Sequence, residues 1–238
     1  MPTVAVPEWA CRPDGTYGGH VAVMPMFPLG SVLLPGAVLP LHVFEPRYRA
    51  LVQACLAADE PEFGVVLIAR GNEVGGGDQR LGIGTIARMV QVAELDDGRY
   101  AVVSVGTRRI RVNAWLPDDP FPLADVDDWP DAPDPAGSDD LDASIRRLHA
   151  RVRRLAALAA ELGDAVADVT TDIAADPLLA SYHLCALAPI GAADTYTLLG
   201  AEGAADRVSR LDAMLDDVDA VLRFRLADGT GDDDVDTP

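Results

Sequence analysis

The sequence contains no lysine; all 19 of its basic residues are arginine. A phosphate-binding P-loop needs a lysine, and so do a Ser–Lys nucleophile pair and a Schiff base, so this sequence carries none of those three chemistries. Cysteine is scarce: Cys11, Cys55 and Cys185 are scattered and odd in number. With no CxxC and no Cys/His cluster, neither a disulfide framework nor a zinc site is expected, and the compartment reads as reducing and cytoplasmic. Cys55 and Cys185 read as small buried apolar residues. Aromatic residues make up only 5%, too few for extended base-stacking platforms. Positive charge is also short, with a formal net charge of -19 and a pI near 4.3. That balance opposes general binding to phosphate backbones or anionic lipid and favours solubility. No cofactor, metal, nucleic acid or membrane is therefore expected as a partner.

What is present is an ordinary globular composition, 49% hydrophobic and 24% charged, over 238 residues, enough for two small domains. The run VAVMPMFPLGSVLLPGAVLPLHVFEPRY, Val21 to Tyr48, has no charged residue before Glu45. It is long enough to span a bilayer, but Pro25, Pro28, Pro35 and Pro40 interrupt it, each costing a helix about 3 kcal/mol. Residues 1–20 offer only Arg12, offset by Glu8 and Asp14, which is not the basic start of a secretory signal. The run reads instead as short strands, SVLLP and AVLPLHVF, about a Pro35-Gly36 turn. A helix then opens at Glu45-Pro46 with Tyr48, Leu51, Val52, Cys55 and Leu56 on one apolar face.

FGVVLIAR, LGIGTIARMVQVAEL, RYAVVSVGTRRIRVNAWL and FPLADV read as further strands, the middle two joined by an Asp96-Asp97-Gly98 hairpin turn. On the third of these, Arg109 and Arg111 share one face, with Arg108, Ile110 and Val112 on the other. The expected organisation is a disordered extension over residues 1–20, or one lying ahead of a true start at Met24, and a mainly antiparallel β domain over 21–126. An acidic Pro/Asp linker or loop follows over 127–142, then a helical subdomain over 143–227 and an acidic disordered tail over 228–238. In the helical part, Leu148, Val152, Leu155, Ala159 and Leu162 recur at helical spacing, as do Val208, Leu211, Leu215, Val218 and Leu222. Pro177–Leu187 and GAADTYTLLG supply two shorter helices.

Candidate chemistry is thin. GIGTIA has the outline of a dinucleotide fingerprint but lies in a strand pattern with no helix after it, so it reads as a glycine-containing strand. No GxSxG elbow presents a serine to His20, His42, His149 or His183. The arginines of GTRRIRV and RRLHARVRR could contact nucleic acid, but in so acidic a chain they read as partners of its Asp runs or of an acidic partner protein.

One resemblance organises these pieces. Phe27, Pro28 and Leu29, then Pro35-Gly36, Pro40-Leu41, Phe44-Glu45 and Arg47-Tyr48, closely resemble the opening of the N-terminal domain of Lon proteases. Gly84-Thr85 with Ala87, Asp97-Gly98-Arg99, Gly106 with Arg109, and Phe121 through Val126 extend it, and the helical half is similar through DPLLASYHLCAL and YTLLGAEGAADRVSRLDAML. It covers about residues 24–226. The resemblance implies an α+β fold: a PUA-like β pseudo-barrel with one packed helix, followed by an α-helical bundle subdomain. In full-length Lon this region recognises and delivers protein substrates. The expectation is a non-catalytic protein that recognises unfolded or extended polypeptide, or a partner protein, as an adaptor in protein quality control. An ATP-independent peptidase of the Lon family and an RNA-binding PUA-like protein are the alternatives. The candidate protein-binding or structural residues are Phe44, Glu45, Arg47, Tyr48, Arg108 and Arg109; no catalytic, cofactor or metal residue is expected. Arg47 is expected to tie the helix start to the barrel through a carboxylate, with Tyr48 packed inward.

Overall fold

In the computed structural model, residues 22–70, 79–133, 138–167 and 172–229 are described. The chain divides after Pro130 into two compact units. The expected extension at 1–20, the glycine-rich stretch at 71–78 and nearly all of the expected acidic tail lie outside the described residues.

Among the described residues, the first unit holds six strands and one helix: β1 (Ala22–Leu29), β2 (Val38–Val43), α1 (Pro46–Leu56), β3 (Glu62–Arg70), β4 (Gln79–Glu94), β5 (Tyr100–Leu116) and β6 (Leu123–Asp128). They form one mixed sheet in the order β2-β5-β4-β3-β1-β6, and a further pairing of β6 with β5 closes it into a barrel. Within this sheet β1 and β3 run parallel, and the other pairings are antiparallel. β5 serves two partners on the same side. Its first half, Tyr100–Val105, pairs with β2 and its second half, from Ile110, pairs with β6.

The first strand of the unit is Ala22–Leu29, not the expected SVLLP. β1 accommodates Pro25 and Pro28 because each half is laddered on one side only, Ala22–Pro25 to β6 and Met26–Leu29 to β3. A missing N–H is tolerable where the ladder does not need it. SVLLP is a loop instead, with Leu33 and Leu34 buried. It is held crosswise: the Thr85 hydroxyl donates to the Leu33 carbonyl at 2.6 Å, and Gly36 N–H donates to the Gly106 carbonyl at 2.8 Å. Gly36 takes φ 82° in the turn, and a side chain at Gly106 would strike the Leu34 carbonyl, so both positions require glycine.

Side-chain alternation along the strands feeds two cores. Phe27, Leu29, Phe63, Val65, Met89 and Val102 join Tyr48, Leu51, Val52 and Cys55 of α1 in one cluster. Met24, Met26, Val66, Ile86, Ile110 and Val126 form the other. Burying a side chain of this size is worth about 1.5–3 kcal/mol, and α1 stays in place through four such residues. Cys55 is buried, its thiol pushed up to about 12 by that burial, and it donates to the Glu62 carbonyl at 3.3 Å.

The second unit is helical: α2 (Ser138–Glu161), α3 (Pro177–Leu187), α4 (Ala192–Leu199) and α5 (Ala204–Gly229). The helical stripes read from spacing are its core, with Leu148, Val152, Leu155, Leu211 and Leu215 each 1% exposed or less. α3 starts at Pro177 because Asp176 caps it, accepting from Leu179 N–H at 2.9 Å. Arg207 on α5 is fully buried. It donates to Asp131, to the Ser181 hydroxyl at 2.7 Å and to the Leu198 carbonyl at 3.2 Å, and its guanidinium lies 3.6 Å from the Tyr182 ring centre. Tyr182 completes the knot by donating to Asp131 at 2.7 Å. The α2 arginines pair within this unit: Arg151 bonds Asp212 and Asp216 of α5, and Arg154 lies 3.7 Å from Asp219. Among the described residues, the partners of Arg151 and Arg154 are thus α5 aspartates.

Candidate functional site

β2 is an exposed, largely apolar strand of the first unit, with Val38, Pro40 and His42 all exposed. Among the described residues β2 is laddered to β5 alone, so its other edge is open. Gly106 N–H donates to the Ala37 carbonyl at 2.9 Å, which fixes the phase of the ladder. In antiparallel pairing, bonded and non-bonded residues alternate. Leu39, Leu41 and Val43 therefore turn their backbone groups toward β5, while Val38, Pro40 and His42 turn theirs toward the open edge. Pro40 sits at an outward position, where its missing N–H costs the ladder nothing. The edge offers three carbonyl acceptors, from Val38, Pro40 and His42, and two donors, from Val38 and His42.

A hollow lies on each side of this strand. One, a cleft of about 190 Å³, is bounded by β2, by Phe27 and Leu29 of β1, and by Phe44, Glu45 and Tyr48 at the start of α1. The other, shallower and about 360 Å³, is floored by Ala93 and Gln91 of β4 and by Ala101 and Val103 of β5 beside Pro40 and His42. Val38 and Phe44, at 63% and 53% exposed, stand at the two ends of the edge.

Of the residues singled out from sequence, Phe44, Glu45 and Tyr48 come together in the first cleft. Tyr48 is buried and stacks on Phe27, with ring centres 4.1 Å apart and planes 16° from parallel. The Arg47 guanidinium lies 4.4 Å from the Tyr48 ring centre, and its Nε donates to Glu45 at 3.1 Å. Glu45, its own neighbour in the motif, is thus one carboxylate that it meets. Arg108 and Arg109 are elsewhere on β5 and line neither hollow. Arg108 donates to Glu62 at 3.0 Å and to Asp128 at 2.9 Å, and Arg88 holds the other Glu62 oxygen at 2.8 Å, so this cluster ties β3, β4, β5 and β6 together. Burial works against the Arg108 charge, but the Asp128 hydrogen bond and the Glu62 carboxylate raise its pKa above the ordinary value. Arg109 is buried with its guanidinium 4.4 Å from the Trp129 ring centre, and Arg111 lies 4.3 Å from the same ring, as their shared face of the strand requires. Arg109 is thus buried, whereas Arg108 keeps part of its side chain in solvent while paired to Glu62 and Asp128.

Sequence reasoning missed Pro40, Leu41 and His42 as the dividing wall of the site, along with Ala101 and Val103. The available signal was Pro40 itself, because a proline within an alternating run marks an edge strand. GIGTIA falls within β4, where Gly84 passes close against the Val65 carbonyl. Among the described residues no group of His, Cys, Asp and Glu is arranged to hold a metal ion, and no helix is long and apolar enough to cross a membrane.

The first unit is a small closed barrel carrying one helix and an apolar open strand edge, and a helical bundle follows it in the chain. The substrate-binding-domain model of the ATP-dependent protease La (LON) matches residues 23–217, and the chain belongs to that family. The Lon protease of Anaeromyxobacter dehalogenans is 34% identical over 108 residues, and Lon protease 2 of Myxococcus xanthus is 36% identical over 107. Each alignment covers 44% of this chain and 13% of the relative, so the chain matches a small part of those proteins. The crystal structure of a Lon N-terminal domain protein from Xanthomonas campestris superposes with a TM-score of 0.57 at 28% identity, covering 82% of this chain and 97% of that one. The N-terminal domain of a Mycobacterium avium complex Lon protease gives 0.56 at 21% identity, over 82% and 98%, and shares the fold. The mixed sheet with helices matches these structures, and the match lies in the substrate-binding domain, which supports substrate recognition.

Proposed function

We propose that this protein is a non-catalytic recognition module that binds unfolded or extended polypeptide, serving as a cytoplasmic adaptor in protein quality control. The observation that carries the reading is the open, apolar β2 edge in a chain of the Lon substrate-binding family. Lysine-free composition adds to it, since neither a P-loop nor a Ser–Lys dyad can be built from these residues. Among the described residues that line the two hollows, His42 is the one imidazole, and no serine or cysteine stands with it as a nucleophile. Arg108 is occupied by Glu62 and Asp128, which weakens the RNA-binding alternative.

Binding is tested by titrating the protein into a fluorescently labelled, reduced and carboxymethylated model protein that cannot refold. Saturable binding is expected, absent with the folded form of the same model protein. Equal signal from an inert acidic protein of similar size would sink the reading.

A further inference from the structure

We propose that β2 takes up an extended polypeptide as an added strand, with side chains on one face of that polypeptide entering the Phe44 cleft and those on the other face lying alongside Pro40 and His42. The inference rests on the polypeptide-recognition reading and assigns it a site and a register.

Three observations converge. First, the outward backbone groups at Val38, Pro40 and His42 are spaced every second residue, which is the spacing at which a paired strand presents its own N–H and C=O. Second, the two hollows share Pro40, Leu41 and His42 as a common wall, one hollow on each face of the strand. A strand laid along the edge sends successive side chains to opposite faces, so its residues meet the Phe44 cleft and the exposed Pro40 and His42 side chains in turn. The cleft beside Phe27, Phe44 and Tyr48 suits one large apolar side chain, while the Ala101–Val103 hollow lies behind β2, over β5 and β4, out of reach of an added strand about 10 Å from β5. Main-chain bonds then supply affinity without dictating sequence, while the cleft sets a loose apolar preference at alternate positions. Third, Pro40 gives the edge more acceptors than donors. A separate segment can supply the extra donor, whereas two copies of this chain set edge to edge bring a proline on both strands and so lack donors twice.

Charge favours the same occupant. The chain carries -19, which opposes pairing with another copy and draws in segments flanked by Arg or Lys. The ligand class is accordingly an extended apolar segment with basic flanks and no proline at the paired positions.

The test uses the full chain and a short peptide of alternating Val and Thr with Arg at each end, read by fluorescence anisotropy. Two N-methylated versions block alternate amides, one set per register. One version is expected to lose about tenfold or more in affinity, since each lost hydrogen bond of about 1.4 kcal/mol is a factor of ten, while the other binds as the parent does. His42→Pro removes one outward donor without touching the β5 ladder and is expected to weaken the parent peptide about tenfold, with thermal unfolding unchanged. If His42→Pro fails to fold, the N-methyl comparison on the unaltered protein still decides. Both methylated peptides binding like the parent overturns strand addition and leaves polypeptide recognition standing. No binding of the parent or of an unfolded protein overturns both. A concentration-dependent dimer that His42→Pro abolishes, with no peptide effect, overturns the choice of occupant.

Discussion

The β unit and the helical unit hold themselves together by opposite means. In the β unit stabilisation is spread: two apolar clusters share the alternate residues of nearly every strand, and its polar tie, Glu62 with Arg88 and Arg108, lies at the rim with both arginines about half exposed. In the helical unit a regular apolar stripe is joined by one concentrated polar knot, where a fully buried Arg207 binds Asp131, Ser181 and the Leu198 carbonyl and lies against Tyr182. A distributed core degrades gradually under substitution. A buried cation has no intermediate option, because removing it strands the groups that were built around it.

The largest effect is therefore expected in the helical unit. Arg207→Met leaves the Asp131 carboxylate without its cation and should cost about 3–5 kcal/mol in urea unfolding followed by circular dichroism. A loss under about 1 kcal/mol, the level of a surface pair, would show that the knot is ornamental and the contrast between the units false. Next comes the β unit. Leu51→Ala opens a cavity under α1, where Leu51 is fully buried, and should cost about 2–4 kcal/mol by the same measurement. Because the core is shared, the barrel should still fold at low temperature.

Glu62→Gln sharpens the comparison from the polar side. It keeps the shape of the side chain and removes its charge, and with half-exposed partners the expected cost is about 1 kcal/mol. A cost equal to that of Arg207→Met would place the two polar clusters on the same footing. The smallest effect belongs to Asp206 at the start of α5. Its carboxyl is held below the ordinary carboxylate range, first by the hydrogen bond from Arg210 and also by the Glu202 N–H, against the opposing pull of burial. A depressed folded pKa stabilises above the unfolded value and loses that contribution as pH falls through the folded one. Asp206→Asn should thus cost about 0.5 kcal/mol at neutral pH and nothing once the pH is well below about 4. An effect that grows with acid would contradict the assignment.

Most of the fold was legible in the sequence, and the reason is periodicity. Tyr48, Leu51, Val52 and Cys55 specify the buried face of α1, and the α2 and α5 stripes specify the helical core, because apolar residues recurring every 3.6 positions line one side of a helix and no side of a strand. The first strand was misplaced for an equally physical reason. AVMPMFPL carries two prolines and reads as a poor strand, yet β1 changes partner midway and does not need a full ladder. SVLLP looks like a strand and is held as a loop by Thr85 and Gly106, contacts that no local pattern announces. The candidate site was half legible. Phe44, Glu45 and Tyr48 were found because they belong to one contiguous motif. Ala93, Ala101 and Val103 were not, because small residues on a sheet surface acquire meaning only once the neighbouring strand is known to be the edge of the sheet. Arg108 and Arg109 stood out by charge, and the fold uses both for internal contacts.

The long β5 also governs how the barrel can form. Its neighbour β4 lies one hairpin away, and β6 follows after a short connection, but β2 must arrive from far earlier in the chain, as β1 must to meet β6. Closing such distant contacts costs chain entropy before any burial compensates, whereas the helices of the second unit assemble from near neighbours. During synthesis, then, β1 and α1 can meet β3 early, but β2 emerges with both edges unpaired and stays so until β5 is made. Before it can offer an edge to any other chain, this one must spend part of its own synthesis with that edge strand unpaired on both sides.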